Sequence, residues 1–166
     1  NATLSLAFAS RDAALIAAEA GNGTGSDCVI IQAVTADVTA PADANAITSI
    51  EIYWSDQNGN YKNGDNTLRN VYNQGGSTTC NYPDGTSLTV PYSRISNGYP
   101  ETARCNVVAG CGGGHTPSVD TVGIRVSYVY AWQTPLTGLI TLTVGPGCTG
   151  PGWNFSRVHA QRVDPV

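Results

Sequence analysis

The first twenty residues constrain the fold more than any other stretch. Residues 4–20 read LSLAFASRDAALIAAEA and contain neither glycine nor proline, so this segment is predicted to be a helix. At 100° per residue, Ser5, Asp12 and Glu19 form one narrow polar stripe, while apolar residues occupy much of the remaining circumference. Such a helix needs apolar partners on more than one side. It is predicted to end at Gly21, and we expect it to continue upstream of residue 1.

The composition is typical of an extracellular, β-rich protein. Charged residues make up only 12% of the 166 residues, and the net charge of −4 includes a single lysine, Lys62. No basic patch is expected, which argues against nucleic acid as a partner. The length suits one domain with its own core. Arg11 and Asp12 interrupt the first helix, so no apolar run reaches the roughly 18 residues of a membrane span.

Five cysteines predict disulfides rather than a metal site. They form no CxxC pair, and His115 and His159 lie far from ligand spacing, so zinc is not expected. Two disulfides and one remaining thiol, in an oxidising compartment, are the preferred interpretation, and five reduced thiols are the alternative. Cys105 and Cys111 are close enough in sequence to close a small loop. The candidate disulfide cysteines are Cys28, Cys80, Cys105, Cys111 and Cys148.

The first strands of a sheet are predicted to follow the glycine break. Residues 28–37 read CVIIQAVTAD and are β-branched and mostly apolar, which predicts a buried strand. Residues 47–55 alternate apolar and polar side chains, as a strand covered on one face does. Asn58-Gly59 is a favoured two-residue hairpin turn, so a partner strand is expected within residues 60–72.

The rest of the chain is predicted to complete an antiparallel sheet. Residues 73–120 are rich in Gly, Ser, Asn and Pro; because a structureless loop of this length is unusual, disulfides and short strands are expected to tie it down, and residues 88–90 are predicted to be one such strand. Residues 121–132 alternate most clearly, and further strands are predicted at residues 138–144 and 155–163. The order predicts an α+β fold, in which an N-terminal long helix packs on an antiparallel β-sheet with a Cys-rich loop region.

One short stretch has the spacing of a calcium loop. Asp56, Asn58 and Asn60 correspond to the first three ligands of such a loop. However, Tyr61 and Thr67 stand where the turn glycine and the bidentate glutamate are required. A plain hairpin turn is therefore the preferred interpretation, and no cofactor is expected.

Two functional alternatives depend on other residues. A carbohydrate-binding or adhesive module is one alternative, although packing within a sheet is the commoner role of such aromatic residues. The aromatic candidates are Tyr53, Trp54, Tyr128, Tyr130 and Trp132. A small secreted hydrolase is the other, because Glu51, Asp56 and Asp65 cluster in sequence as glycosidase carboxylates do. No serine or cysteine is placed near His115 or His159 by any known pattern, so catalysis is not expected.

Short patterns at both ends of the chain resemble one known family. Residues 11–14 are an Arg-Asp run among small residues, followed by Ala17-Ala18 and Gly21. Near the other end, an alternating strand leads into Thr-Pro-Leu at residues 134–136, and residues 162–165 read RVDP. These patterns resemble the TadE-like family, the pilin-like minor proteins of the tight-adherence (Flp) pilus system. The Cys-rich middle has no counterpart there.

The resemblance implies a non-enzymatic, single pilin-like domain. Residues 1–21 would be the lower half of the N-terminal helix and residues 28–166 a β-rich head. An upstream apolar segment would anchor the protein in the bacterial inner membrane, with the head outside the cytoplasm or in a surface pilus. Its partners would be other pilin-like subunits and pilus assembly proteins, in support of pilus biogenesis, adhesion and biofilm formation. The residues expected to pack between helices are Leu4, Leu6, Phe8, Leu15 and Ile16.

Overall fold

Two helices and an antiparallel sheet make up the part of the chain that this computed structural model describes, which is residues 2–40, 42–106, 110–111, 119–131 and 152–162. The helices are α1 (Ala2–Ala20) and α2 (Ser26–Asp37). The strands are β1 (Ile47–Ser55), β2 (Arg69–Asn81), β3 (Ser87–Asn97), β4 (Cys105–Asn106), β5 (Gly110–Cys111), β6 (Thr121–Ala131) and β7 (Gly152–Arg162). The predicted α+β class is confirmed at this level. The strand predicted at residues 138–144 lies outside the described residues.

The main sheet is entirely antiparallel. Its strand order is β3-β2-β1-β6-β7, with β1 in the centre, and β4 and β5 form a separate two-stranded ladder. Ile52 of β1 lies opposite Asn70 of β2 and Ile124 of β6, so these three positions share one face. The strands predicted within residues 47–55, 121–132 and 155–163 are confirmed as β1, β6 and β7.

Both helices cover the same face of the sheet. α1 lies over β6 and β7, α2 lies over β3 and β2, and the two helices pack against each other. α1 contributes mostly small side chains, which allow a helix to approach its neighbours closely. The core combines Leu6, Ala9, Ala13, Ala14 and Ala17 of α1, Ile30, Ile31 and Val34 of α2, and Ile50, Ile52, Tyr72, Ile124 and Val126 of the sheet.

The first helix agrees with its sequence pattern at its end. α1 stops at Ala20, and Gly21 has a positive φ of 56° and donates its N–H to the Ala17 carbonyl at 3.1 Å. This is the left-handed C-terminal geometry that favours glycine. The structure shows a helix of 19 residues, rather than the long helix of the predicted fold class.

The strand predicted at residues 28–37 is wrong, because this segment is the helix α2. Its β-branched residues lower helix propensity only slightly, and Ile30, Ile31 and Val34 are fully buried at helical spacing. The first N–H groups of a helix have no partner within the helix. At the start of α2, the carboxylate of Glu101 accepts the N–H groups of Gly25 at 2.8 Å and Asp27 at 2.9 Å. The β-rich head therefore begins with a helix.

The short strand predicted at residues 88–90 is confirmed as part of β3, but the strands within residues 73–120 are much longer than predicted. β2 and β3 form an extended hairpin there, closed by a turn in which Gly85 donates to the Tyr82 carbonyl at 3.0 Å. Thr, Ser and Asn occupy both faces of these strands, so hydrophobic alternation does not reveal them. The Pro83-Asp84-Gly85 turn was a usable sequence signal.

The Asn58-Gly59 turn does reverse the chain, but not as a two-residue hairpin. Asp56 donates its N–H to the Asn60 carbonyl at 2.9 Å, and Ser55 bridges to Tyr61. The partner strand β2 begins only at Arg69, after this loop. The predicted partner strand is therefore confirmed only at the end of its range.

A disulfide joins the helical layer to the sheet. Cys28 in the first turn of α2 is bonded to Cys80 near the end of β2, across a sequence separation of 52 residues. Cys105 is also disulfide-bonded, and Cys111 stands opposite it in the β4–β5 ladder. A Cys105–Cys111 bond stays a prediction, and Cys148 lies outside the described residues.

Removal of the Cys28–Cys80 bond should destabilise the fold strongly. A closed loop of this length restricts the unfolded chain, and its release should lower the free energy of unfolding by about 4 kcal/mol. We expect this loss for the Cys28→Ala/Cys80→Ala variant in urea denaturation. Each single variant breaks the same bond, so its free energy of unfolding should fall by most of this amount. A fall below about 1 kcal/mol in the double variant would contradict the assignment of this disulfide.

Candidate functional site

One side of α1 carries exposed apolar side chains. Leu4, Phe8 and Leu15 are 58%, 65% and 42% exposed. At 100° per residue they project within about 40° of one another, away from the buried side of the helix. The other two predicted packing residues behave differently, since Leu6 is in the core and Ile16 packs partly against it. The structure thus divides the five predicted packing residues into an exposed set and an inward set.

A groove lies beside the exposed set. It has a volume of about 590 Å³ and lies between α1 and the segment that follows α2. Ser5 closes one part of it, because its hydroxyl donates to the Thr39 carbonyl at 3.0 Å and accepts the Thr39 N–H at 3.1 Å. The lining residues are Ser5, Phe8, Asp12, Ala36, Asp37, Thr39 and Ala40.

Two carboxylates face each other in this groove. Burial raises the pKa of Asp37, and a hydrogen bond and charge repulsion from Asp12 raise it further. Asp12 is exposed, so the pair is open to water. These features do not match the enclosed dyad that the hydrolase alternative requires.

A buried ion pair holds the start of α2. Asp27 and Arg104 are both almost completely buried, and Arg104 Nη2 donates to Asp27 Oδ1. The other carboxylate oxygen of Asp27 accepts hydrogen bonds from Asn70 Nδ2 and Tyr72 Oη, each at 2.7 Å. Burial raises the pKa of Tyr72, and the charge of Asp27 raises it further. This network joins α2 to β2 and to the segment before β4.

The same network continues to a second buried acid. Arg104 lies 4.9 Å from the ring centroid of Tyr99, whose hydroxyl donates to Asp120 Oδ2 at 2.8 Å. Asp120 also accepts the N–H of Cys105 at 3.0 Å. Sequence reasoning did not assign a role to Asp27 or Asp120. Buried charges are tolerated in a core when they are paired and hydrogen-bonded. We therefore assign this network a role in the stability of the fold.

A second cluster lies on the outer face of the sheet, opposite the helices. Glu51 of β1 accepts hydrogen bonds from Arg69 Nη1 at 3.1 Å and from Arg125 Nη1 at 3.2 Å. Both of these nitrogens also contact Tyr61 Oη, at 3.1 Å and 2.5 Å. Through these hydrogen bonds, Tyr61 holds the loop after β1 against the centre of the sheet. We call Arg69 and Arg125 the arginine pair.

Aromatic rings support this cluster rather than forming an open platform. Tyr53 is fully buried, and burial raises its pKa to about 12 although Arg125 opposes this shift. The Tyr53 ring packs over β6, where a Cβ at Gly123 would lie 2.3 Å from it. Tyr128 is also buried and Trp54 packs against the core. The side chains of Tyr130 and Trp132 lie outside what the structure describes.

The residues proposed for metal or acid–base chemistry serve local turns. Asp56 Oδ1 accepts the N–H groups of Asn58 and Asn60, both at 2.8 Å, and these bonds, that of Asn60 first, lower the pKa of Asp56. Asp65 similarly accepts from the N–H and hydroxyl of Thr67. Within the described ranges, no group of three or more His, Cys, Asp and Glu residues is placed to hold a metal ion.

The two histidines cannot be placed in any site. His115 lies outside the described residues, and His159 is described only as part of the β7 backbone.

Comparison with known proteins assigns no relatives to the chain. It matches no protein-family model, and neither the curated proteins nor the solved structures include a match to it. Among the described residues, no helix has both the length and the apolar character needed to cross a membrane.

Disruption of the buried ion pair should be costly. Asp27→Asn would leave the Arg104 charge buried without its partner and should lower the free energy of unfolding by about 3–5 kcal/mol in urea denaturation. The double variant Asp27→Asn/Arg104→Met also removes the Arg104 charge and keeps an amide oxygen as an acceptor for Asn70 or Tyr72, so its free energy of unfolding should fall less than that of Asp27→Asn alone. Asp65→Asn, a change of the same type at an exposed turn, is the matched control. Equal losses for Asp27→Asn and Asp65→Asn would contradict the assignment.

The carboxylate pair should make stability depend on pH in a defined direction. Because the pKa of Asp37 is raised in the folded state, its contribution is present at low pH and is lost as the pH rises through the raised pKa. Asp37→Asn should therefore stabilise the protein by a few tenths of a kcal/mol at pH 7 and by nothing at pH 3. Thermal unfolding at both pH values measures this, and Asp12→Asn should give a smaller gain, because it removes the repulsion but not the burial of Asp37. A gain from Asp37→Asn that is the same at both pH values would refute the pairing.

Proposed function

We propose that this chain is a non-enzymatic, pilin-like component of a tight-adherence (Flp) pilus system. In this proposal α1 packs against helices of neighbouring subunits, and the sheet with its outer-face loops forms the head. The observation that carries the proposal is the exposed apolar side of α1. The choice of a tight-adherence pilus as the assembly rests on the resemblance of both chain ends to the TadE-like family.

The spacing of the exposed residues supports a helix–helix contact. Leu4, Phe8, Arg11 and Leu15 follow one another at intervals of four, three and four residues, which is the period of a seam between packed helices. Burial of a large apolar side chain contributes roughly 1.5–3 kcal/mol of free energy. Covering Leu4, Phe8 and Leu15 with a partner helix would therefore stabilise the assembly by several such contributions. Arg11 is exposed within the seam, and its apolar stem can cover a neighbour while its charge stays in water.

The inward side of α1 explains how one helix serves two partners. Alanines and Leu6 fill the contact with the sheet and α2, so the core of the described part of the chain forms without Leu4, Phe8 or Leu15. The helix can therefore join an assembly without unpacking its own domain. Of the five residues first considered, we assign assembly to Leu4, Phe8 and Leu15, and head packing to Leu6 and Ile16.

The disulfides agree with a head outside the cytoplasm. Structural disulfides persist in oxidising compartments such as the periplasm and the cell surface. The proposal accordingly places the protein in the bacterial cell envelope, anchored by an apolar segment upstream of residue 1 or incorporated in a surface pilus. Its partners are other pilin-like subunits and pilus assembly proteins, and it uses no cofactor.

Contacts of the exposed side of α1 can be tested in the full-length protein in its own cells. A photo-crosslinking amino acid at position 8 should give covalent adducts with other pilin-like subunits, because Phe8 would lie in the seam. Phe8→Glu should reduce surface pili at least tenfold, since a charge in a helix seam opposes packing. Pilus counts by electron microscopy and mass spectrometry of the adducts measure the two effects.

Ile95 provides the matched control. It is 61% exposed, apolar and located on β3, away from α1. A crosslinker there should give no pilin adduct, and Ile95→Glu should leave pili unchanged. The proposal is wrong if positions 8 and 95 behave alike, or if the sequence upstream of residue 1 lacks an apolar segment continuous with α1.

A further inference from the structure

We propose that the outer face of the sheet binds an acidic sugar, with the carboxylate of a uronic acid on the arginine pair. This site is separate from the exposed side of α1 and does not depend on the proposed pilin-like function. It lies at the centre of the sheet, where β2, β1 and β6 bring Arg69, Glu51 and Arg125 together.

The charge of the cluster is unbalanced. Two guanidinium groups share the single carboxylate of Glu51, which leaves one net positive charge on a chain whose net charge is −4. The neighbouring acids Asp56 and Asp65 are engaged in their own turns. Arg69 and Arg125 are 32% and 26% exposed at their side chains, so an anion from solvent can reach them. A concentrated positive charge of this kind attracts carboxylates.

The guanidinium groups retain hydrogen-bonding capacity. Within the described residues, the hydrogen bonds of the arginine pair use only Nη1, on Glu51 and Tyr61. Each guanidinium has five N–H donors, so among the described residues Nη2 and Nε have no hydrogen-bond partner, and they are the donors that we assign to the ligand. These are the atoms with which arginine holds a planar carboxylate in two parallel hydrogen bonds.

The arginine pair is already held in position. Arg125 lies 5.4 Å from the centroid of the Tyr53 ring and 4.9 Å from that of Tyr61, and Arg69 lies 5.8 Å from that of Tyr61. These contacts and the Glu51 ion pairs restrict both side chains before any ligand arrives. Binding then costs less side-chain entropy than it would with free arginines.

The surroundings favour a sugar over a peptide. Ser49 lies two residues from Glu51 on the same face, and Asn73 and Ser127 stand opposite it in register. These uncharged side chains lie roughly 7 Å along the strands from Glu51 and Arg125, a distance that one sugar residue spans, and about 13 Å from Arg69, which needs two. A peptide would find no open strand edge here, because β1 is paired on both sides.

The test measures binding of three probes by isothermal titration calorimetry. The probes are a galacturonic acid trimer, the same trimer as its methyl ester, and a triglutamate peptide. We expect saturable binding of the acidic trimer alone. Arg69→Gln/Arg125→Gln should weaken it at least about tenfold, because charged hydrogen bonds are lost. Glu51→Gln should strengthen it several-fold, because it removes a negative charge that repels the ligand carboxylate while the amide oxygen can still accept from Nη1 of the arginine pair.

Arg94→Gln is the charge-matched control. Arg94 is exposed on β3, and this variant should bind the trimer as the unaltered protein does. Circular dichroism establishes that each variant is folded. Equal binding of triglutamate would overturn the assignment to a sugar. No saturable binding, or binding that is insensitive to the arginine pair or weakened by Glu51→Gln in a folded variant, would overturn the site itself.

Discussion

The burial of the Asp27 carboxylate is the constraint on which the rest of the structure depends. A charge without solvent contact requires a complete set of partners, and these come from two separate parts of the chain. Asn70 and Tyr72 project from β2 toward the helices, while Arg104 arrives from the segment before β4. Glu101, three residues earlier in the chain than Arg104, accepts the free N–H groups at the start of α2. The position of α2 on the sheet is therefore set by polar contacts as much as by its apolar face.

The two sides of α1 divide residues that the fold buries from large apolar residues that it leaves exposed. Alanines on the inner side allow close contact with α2 and the sheet, so the head needs few large side chains from this helix. The large apolar residues Leu4, Phe8 and Leu15 are consequently left outside the core. An apolar helix side that folding does not use remains available for binding another helix. The pilin-like proposal rests on this division, and it is independent of the chemistry on the far face of the sheet.

The two faces of the sheet have opposite character because strand side chains alternate. The helix-facing side holds Ile50, Ile52 and Ile124 in the core. The outer side holds Glu51 between Arg69 and Arg125, with Tyr61 brought over it by the loop after β1. The same period of two thus produces both the core and the cationic cluster.

Local patterns in the sequence determined α1, its end at Gly21, and the strands β1, β6 and β7, because helical and strand periodicity reflect burial on one side of a single element. The identity of residues 28–37 was decided by tertiary structure: β-branched side chains suit either a strand or a helix, and the contacts of Asp27 and Glu101 select the helix. The length and pairing of β2 and β3 were not predicted, because polar strands carry no apolar alternation and depend on pairing with β1. Likewise, only the folded sheet brings together Glu51, Arg69 and Arg125, which are far apart in sequence, because register between strands is a non-local property.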